Sequence, residues 1–101
     1  MKSWTLLYPI VQKIPKGKVA TYSQLAKMLS TNPRVVGNLL HQNPDPKNIP
    51  CHRVVNKQGL VSKNYAFGGA KEQTRRLKGE RVKFIKNGKV DLARGLWDGL
   101  Y

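Results

Sequence analysis

The sequence has few acidic residues and a single cysteine. Its 101 residues contain 19 lysines and arginines against five aspartates and glutamates, which gives a formal net charge of +14. One cysteine excludes an internal disulfide and a cysteine-cluster metal site, and the two histidines, His41 and His52, do not make a metal site by themselves. We therefore expect neither a structural metal nor a cofactor.

Long apolar runs are also missing. No stretch approaches the roughly 20 residues that cross a bilayer, and no signal peptide precedes the first predicted helix. The length suffices for one modest hydrophobic core. The sequence thus predicts a single, monomeric domain over residues 1–101 that does not contact a membrane and that lies in the cytoplasm, associated with the nucleoid, or in the nucleus.

Positive charge is what the sequence has in excess. No acidic residue precedes Asp45, whereas Lys2, Lys13, Lys16, Lys18, Lys27 and Arg34 all do. Charge of one sign at this density favours a polyanionic partner, and nucleic acid is the commonest. A lysine-rich protein without such a partner is the alternative that composition alone leaves open.

The only cysteine lies in a segment, residues 43–55, around which the chain is organised. Three prolines lead into Cys51, and His52, Arg53 and two valines follow it. A cationic or hydrogen-bonding neighbour is what lowers the pKa of a cysteine enough to make it a nucleophile. Consecutive strand residues point to opposite faces, so His52 can serve Cys51 only if the backbone turns or a water bridges them. The alternative is an inert, buried thiol beside a solvated basic pair.

Apolar spacing and turn residues indicate the secondary structure. Asn32 is a good helix cap and Pro33 suits a first helical position, so two short helices joined by a few polar residues form a helix-turn-helix candidate. Helices are predicted at 3–14 (with Ser3 as cap), 23–29, 33–42 and 70–80, a strand or extended link at 18–22, hairpins pairing 53–55 with 60–61 and 82–85 with 90–92, and a loop at 63–69. This composition predicts an α+β domain with a winged helix-turn-helix.

A set of motifs in a fixed order resembles one known family. The motifs are Ile14-Pro15-Lys16-Gly17-Lys18-Val19, Thr21-Tyr22, Arg34-Val35-Val36-Gly37, Asn43-Pro44 and Ile49-Pro50-Cys51-His52-Arg53-Val54-Val55. Over about residues 5–85 the chain resembles the alkylguanine-DNA alkyltransferases, also called methylated-DNA-protein-cysteine methyltransferases. The resemblance implies a protein that binds duplex DNA through the minor groove, flips out an O-6-alkylated guanine and moves the alkyl group irreversibly to a cysteine.

The resemblance also assigns catalytic residues. Cys51 is the implied nucleophile and His52, relaying through water, the implied base. Glu80 falls near the position where the family has a glutamate that orients this histidine. The segment from Leu77 to Arg81 departs from the family's leucine-rich run, however. The alternative for Glu80 is an ordinary solvated acid at a helix end. Tyr22 matches the tyrosine that hydrogen bonds to the leaving guanine, and Asn43 the asparagine that joins the recognition helix to the active-site segment.

Further residues are implied at the DNA and in the pocket. Arg34 matches the arginine that replaces the extruded nucleotide, and without the family it would be a phosphate contact at a helix start. Asn38, Tyr22 and Arg53 are expected at the DNA as well. The implied pocket residues are Pro50, Tyr65, Ala66, Gly68 and Gly69, where Ala66 replaces a serine found in many members.

Two features favour a non-catalytic alternative. Most family enzymes have a separate N-terminal domain before the region of Ile14, and we expect none in this chain. Residues 88–101 resemble the ending of the alkyltransferase-like proteins, which bind alkylguanine and recruit nucleotide excision repair proteins. Those relatives usually carry tryptophan at the position of Cys51, so the cysteine favours the enzyme. A plain winged-helix regulator would leave the Cys51 segment unexplained.

Overall fold

The computed structural model describes residues 4–62, 65 and 67–99. The elements are helix α1 (Trp4–Gln12), strand β1 (Ala20–Thr21), helices α2 (Tyr22–Met28) and α3 (Pro33–His41), a 3-10 turn (Cys51–Arg53), strand β2 (Val54–Val55), helix α4 (Gly69–Gly79), a second 3-10 turn (Lys86–Gly88) and helix α5 (Leu92–Gly95). No helix in this part of the chain is long and apolar enough to cross a membrane. The predicted cap Ser3 lies outside the described residues.

The helix-turn-helix forms because both of its helices have strong N-terminal caps. At the start of α2, Thr21 Oγ1 accepts from the amide of Gln24 at 3.0 Å, and the Gln24 side chain accepts from the Thr21 amide at 3.3 Å. At the start of α3, Asn32 Oδ1 accepts from the amide of Val35 at 3.0 Å and Pro33 is the first helical residue. The predicted helices and the cap at Asn32 are confirmed.

The two strands pair in parallel, with Ala20 opposite Val54 and Thr21 opposite Val55. The predicted hairpin between 53–55 and 60–61 is therefore wrong, because β2 pairs with β1 instead. Val54 and Val55 are both fully buried, which is typical of a strand covered on both faces rather than of a half-exposed hairpin. Residues 56–60 form a loop in which Asn56 exchanges backbone and side-chain hydrogen bonds with Leu60.

The C-terminal hairpin is only partly as predicted. Asn87 and Gly88 both have positive φ, at 67° and 71°, as an Asn-Gly hairpin turn requires, and Phe84 bridges Val90 in antiparallel fashion. The return strand ends there, since Leu92 begins α5 rather than continuing the strand. Asp91 explains this difference: its carboxylate caps the helix by accepting from the Ala93 amide at 3.2 Å.

The small sheet separates two hydrophobic clusters. Alternate side chains of a strand point to opposite faces, so Ala20 and Val54 join one cluster while Val19 and Val55 join the other. The first cluster also contains apolar residues of α1, α2 and α3 together with Cys51, and the second contains Leu77 of α4. The Cys51–Arg53 turn thus lies where the helix-turn-helix and α4 meet the sheet, and the predicted α+β class is confirmed.

Candidate active site

A tight turn separates the side chains of Cys51 and His52. Residues Cys51–Arg53 form one turn of 3-10 helix, in which the amide of Arg53 donates to the carbonyl of Pro50 at 2.9 Å. The buried Pro50 fixes the entry to this turn, and β2 begins immediately after it. Cys51 consequently faces one cavity and His52 faces another.

Cys51 lies in a groove of about 1200 Å³, which we call the recognition groove. Helix α3 forms one wall, and residues of 56–62 together with Tyr65 form the other. Its lining includes Tyr22, Arg34, Gly37, Asn38, His41, Cys51, Lys57, Ser62 and Tyr65. The groove therefore joins the exposed face of the second helix of the helix-turn-helix to the only cysteine.

Cys51 is buried, with 5% of the residue exposed, and its thiol has polar neighbours. Burial raises the pKa of the thiol, and this outweighs hydrogen bonding from the Asn43 and Tyr65 side chains and the charge of Arg76, which lower it. Cys51 is thus held as a thiol at neutral pH in a site that already contains groups able to stabilise the thiolate. Its reactivity depends on a base.

Asn43 connects the end of α3 to the Cys51–Arg53 turn. Its buried side chain donates from Nδ2 to the carbonyl of Ile49 at 2.8 Å and accepts at Oδ1 from the amide of Asp45 at 2.9 Å. Its own amide donates to the carbonyl of Leu40 in the last turn of α3. These bonds stabilise the conformation of the proline-containing segment that leads to Cys51. The Asn43 side chain also hydrogen bonds with the Cys51 thiol.

On the other side of the turn, His52 is paired with Glu80. The Nε2 atom of His52 lies 2.9 Å from Glu80 Oε2, and the two side chains are 9% and 13% exposed. Burial lowers the pKa of His52 more than the hydrogen bond and charge of Glu80 raise it. Burial also acts to raise the pKa of Glu80, but hydrogen bonds from Arg53 and His52 outweigh it and the pKa is lowered. The pair is therefore a neutral imidazole held by a carboxylate.

Arg53 is turned into the protein rather than toward DNA. Its Nε and Nη2 atoms donate to the two carboxylate oxygens of Glu80 at 2.9 and 2.8 Å, and Nη1 donates to the carbonyl of Ile14 at 2.8 Å. The side chain is 14% exposed. The expectation of a DNA contact from Arg53 is corrected on this ground, since its guanidinium is committed to internal hydrogen bonds.

Two tyrosines of the groove keep their phenol protons. Tyr22 is the first residue of α2, and burial raises its pKa despite a hydrogen bond with Ser62. Burial and the neighbouring Cys51 raise the pKa of Tyr65 to about 12. Both hydroxyls can donate a hydrogen bond inside the groove at neutral pH.

Of the remaining predicted residues, two line the recognition groove, whereas Gly68 and Gly69 are not among its lining residues. Arg34 and Asn38 are exposed on α3 and line it. Gly68 and Gly69 form the start of α4 with φ of +126° and +77°, and a Cβ on Gly68 would lie 2.6 Å from Glu72 Cβ, so a side chain would not fit there. Ala66 lies outside the described residues.

Two residues of α4 belong to the site although no motif in the sequence points to them. Gln73 is 1% exposed, donates to the carbonyls of His52 and Val54 and accepts from the amide of Ser62. Arg76 donates from Nη1 to the Tyr65 hydroxyl at 2.9 Å. The available signal was spacing, because Gln73 lies three residues after Ala70 and four before Leu77, on the face that α4 buries.

In the part of the chain that the structure describes, no group of three or more histidine, cysteine, aspartate and glutamate side chains is placed to hold a metal ion. The chemistry available at the site is that of a cysteine nucleophile, a histidine base with its carboxylate, and phenol donors.

The sequence that forms this arrangement matches a known protein family. The family described as 6-O-methylguanine DNA methyltransferase, DNA binding domain, matches residues 4–82. The chain belongs to this family. Among methyltransferase relatives, a methylated-DNA–protein-cysteine methyltransferase of Thermococcus barophilus is 57% identical over 51 residues, which are 50% of this chain and 29% of that protein. A bifunctional methyltransferase/endonuclease of Picrophilus torridus is 37% identical over 93 residues, 90% of this chain and 30% of that protein. The chain thus matches about a third of the length of these relatives.

Two solved structures share the fold. S. pombe Atl1, in complex with damaged DNA containing O6-carboxymethylguanine, superposes with a TM-score of 0.84 at 30% identity, covering 97% of this chain and 99% of Atl1. The O6-methylguanine-DNA methyltransferase of Pyrococcus kodakaraensis superposes with a TM-score of 0.71 at 36% identity, covering 81% of this chain and 47% of that one. The predicted family and fold are confirmed.

Proposed function

We propose that this protein repairs DNA by binding a duplex, extruding an O-6-alkylated guanine into the recognition groove and transferring the alkyl group to Cys51. The observation that carries the proposal is the position of Cys51, which lies in the groove beside α3, while the next residue, His52, is paired with Glu80 on the other side of the turn. The family and the names of its methyltransferase members support the same reaction.

The first step is removal of the thiol proton. The Nε2–H of His52 donates to Glu80, which leaves Nδ1 as the acceptor. Nδ1 is buried, and no described residue hydrogen bonds with it. A water between this nitrogen and the sulfur of Cys51 would carry the proton to the neutral imidazole. Glu80 fixes the ring and stabilises the imidazolium that forms.

The second step moves the alkyl group. The thiolate attacks the alkyl carbon, a carbon–sulfur bond forms as the bond to O-6 breaks, and guanine leaves with the electron pair. Tyr22 donates a hydrogen bond to the guanine as negative charge develops on it. The proton taken from the thiol is returned to the guanine by way of solvent, so the reaction needs no redox partner. Cys51 ends as a thioether, and each molecule reacts once.

Helix α3 supplies the DNA contacts in this proposal. Arg34 and Asn38 project from it into the recognition groove. Flipping a nucleotide costs a few kcal/mol, and insertion of the Arg34 guanidinium into the gap offsets part of that cost. The formal charge of +14 adds a sequence-independent attraction to the phosphate backbone, which makes the affinity fall steeply with salt.

Intact-protein mass spectrometry tests the proposal. The protein is incubated with a duplex containing O-6-methylguanine, and peptides are then mapped. We expect a gain of one methyl group on the Cys51 peptide, none with an unmodified duplex and none in Cys51→Ala, which should still bind the damaged duplex. Methylation of another residue, or no methylation of Cys51, would contradict it.

A second candidate is a lesion sensor that binds alkylguanine without removing it and recruits nucleotide excision repair proteins. The observation that favours it is the match to Atl1, which covers 99% of that chain and includes residues beyond the family match at 82. The same experiment separates the two functions, because a sensor would bind the methylated duplex selectively while Cys51 stays unmodified.

A further inference from the structure

Arg76 of α4 places a guanidinium next to the candidate active site, where it contacts Tyr65. Its Nη1 atom donates to the Tyr65 hydroxyl at 2.9 Å, and its guanidinium carbon lies 5.8 Å from the centre of the Tyr65 ring. Its Nε atom donates to Glu72 Oε2, also at 2.9 Å. The side chain is 32% exposed and is held from two sides.

Tyr65 connects this cation to the nucleophile. The tyrosine lines the recognition groove together with Cys51 and packs against the hydrophobic cluster that contains it. The two side chains also act on each other's protonation: hydrogen bonding from Tyr65 lowers the pKa of the Cys51 thiol, and Cys51 raises the pKa of Tyr65. A guanidinium has only donors, so the oxygen of Tyr65 accepts from Arg76 and its own proton is free to point at the sulfur. The order of the bonds is thereby fixed.

We propose that Arg76 is a positioning residue that acts on Cys51 through Tyr65. It keeps the phenol O–H of Tyr65 directed at the sulfur and so stabilises the thiolate that attacks the alkyl group. The proposal deepens the function argued above and rests on it for its role in repair. Its chemical content, a thiolate stabilised by a chain of two donors, concerns the free protein and can be measured without DNA.

The other groups around Cys51 do not supply this charge. Asn43 is a neutral donor, and Tyr8 and Tyr22 are phenols whose pKa values burial raises. His52 has a lowered pKa, and Arg53 is paired with the carboxylate of Glu80. Arg76 is the cation whose charge lowers the pKa of the Cys51 thiol. A hydrogen bond from a donor polarised by a cation is stronger than one from a neutral donor.

The test compares Arg76→Leu with Arg75→Leu. Arg75 precedes Arg76 on α4, also contacts Glu72 and is 72% exposed, so its removal changes the net charge equally without touching Tyr65. The readout is the rate of alkylation of Cys51 by iodoacetamide as a function of pH, followed by mass spectrometry. We expect Arg76→Leu to move the midpoint to higher pH and to slow the reaction about threefold or more below it, as half a pKa unit requires. Arg75→Leu should leave the profile unchanged.

A double substitution decides whether the effect passes through the tyrosine. Tyr65→Phe should shift the profile in the same direction, and adding Arg76→Leu to it should produce little further shift. Equal shifts in Arg75→Leu and Arg76→Leu, or fully additive shifts with Tyr65→Phe, would overturn the proposal, since both mean that the charge acts without Tyr65. Arg76→Lys, which keeps a donor, should lie between the wild type and Arg76→Leu, and circular dichroism establishes that each variant is folded.

Loss of methyl transfer is then measured separately. If the wild type does not transfer methyl groups, the repair proposal fails while the iodoacetamide profiles still report on Arg76. If the wild type does transfer them, Arg76→Leu should slow the single-turnover rate by the factor seen with iodoacetamide or more. An unchanged transfer rate would overturn the role of Arg76 in the reaction.

Discussion

The two sides of the Cys51–Arg53 turn differ in how many of their side chains are buried and hydrogen bonded within the protein. On the groove side, α3 presents Arg34, Asn38 and His41 to solvent. On the opposite side, His52, Arg53, Glu80 and Gln73 are largely buried and joined by hydrogen bonds of about 3 Å. The groove side is therefore free to bind a ligand, whereas the other side holds the turn in place. Substitutions on one side should change binding, and those on the other should change folding.

The largest effect on stability is expected from Glu80→Gln. It leaves the Arg53 guanidinium inside the protein without its carboxylate, and breaking a buried pair in this way costs about 3 kcal/mol. Urea unfolding measures the change. Glu72→Gln is the control, because that carboxylate pairs with Arg75 and Arg76 at the surface of α4 and its loss should matter far less. Equal losses in the two variants would break the comparison between the sides.

Gln73→Met should lower the unfolding free energy by about 2 kcal/mol. Methionine keeps the volume of the side chain but removes its bonds to the carbonyls of His52 and Val54 and to the amide of Ser62. Lys71→Met, on the exposed face of the same helix, is the control. If Gln73→Met were as stable as the wild type, the carbonyl of His52 would not depend on this side chain for the position of the turn.

The stability of the buried side should also depend on pH. The pKa of His52 is lower in the folded protein than the value of about 6.5 expected when unfolded. The unfolded state therefore binds the proton first, and stability that is fully present above this range is lost as the pH falls through 6.5 toward the folded pKa. The slope is at most about 1.4 kcal/mol per pH unit. Urea titrations between pH 7.5 and about 5 measure it, and His52→Asn should flatten the curve.

The smallest effect on stability and the clearest effect on binding are expected from Arg34→Ala. Because the residue is exposed, its removal should change the unfolding free energy by less than about 0.5 kcal/mol. Binding to a duplex with O-6-methylguanine should weaken more than binding to the unmodified duplex, as measured by fluorescence anisotropy. Arg34→Lys separates the roles, since lysine restores a phosphate contact but not a planar group for the base stack. An unchanged preference for damaged DNA in Arg34→Ala would count against the stacking role.

The features that sequence predicted well are those set by neighbouring residues. The cap at Asn32, the first helical position of Pro33 and the Asn87-Gly88 turn each depend on a few consecutive residues, and each is found in the structure. The pairing of Ala20 with Val54 joins residues 34 positions apart. No residue near Val54 indicates whether this strand pairs with β1 or forms a hairpin with residues 60–61. Tertiary context, rather than propensity, decided the partner of β2.

The candidate site divides in the same way. Of the residues that the motifs single out, Cys51, Tyr22 and Arg34 line one groove, and Glu80 lies against His52. Their catalytic roles stay predictions. Arg53 was misjudged because charge alone does not say whether a guanidinium faces solvent or a buried carboxylate. Gln73 was missed because a glutamine in a charged helix reads as a surface residue until three backbone partners are found for it.

The segment after α5 has a consequence for solubility. The amide of Val19 donates to the carbonyl of Gly95 at 2.8 Å, and the amide of Trp97 donates to the carbonyl of Val19 at 2.7 Å. These bonds cover the side of β1 that does not face β2, so the sheet has no open edge there on which a strand from another molecule could add. A protein shortened to residue 82, where the family match ends, would expose that edge and the pocket of the buried Trp97, and we expect it to self-associate.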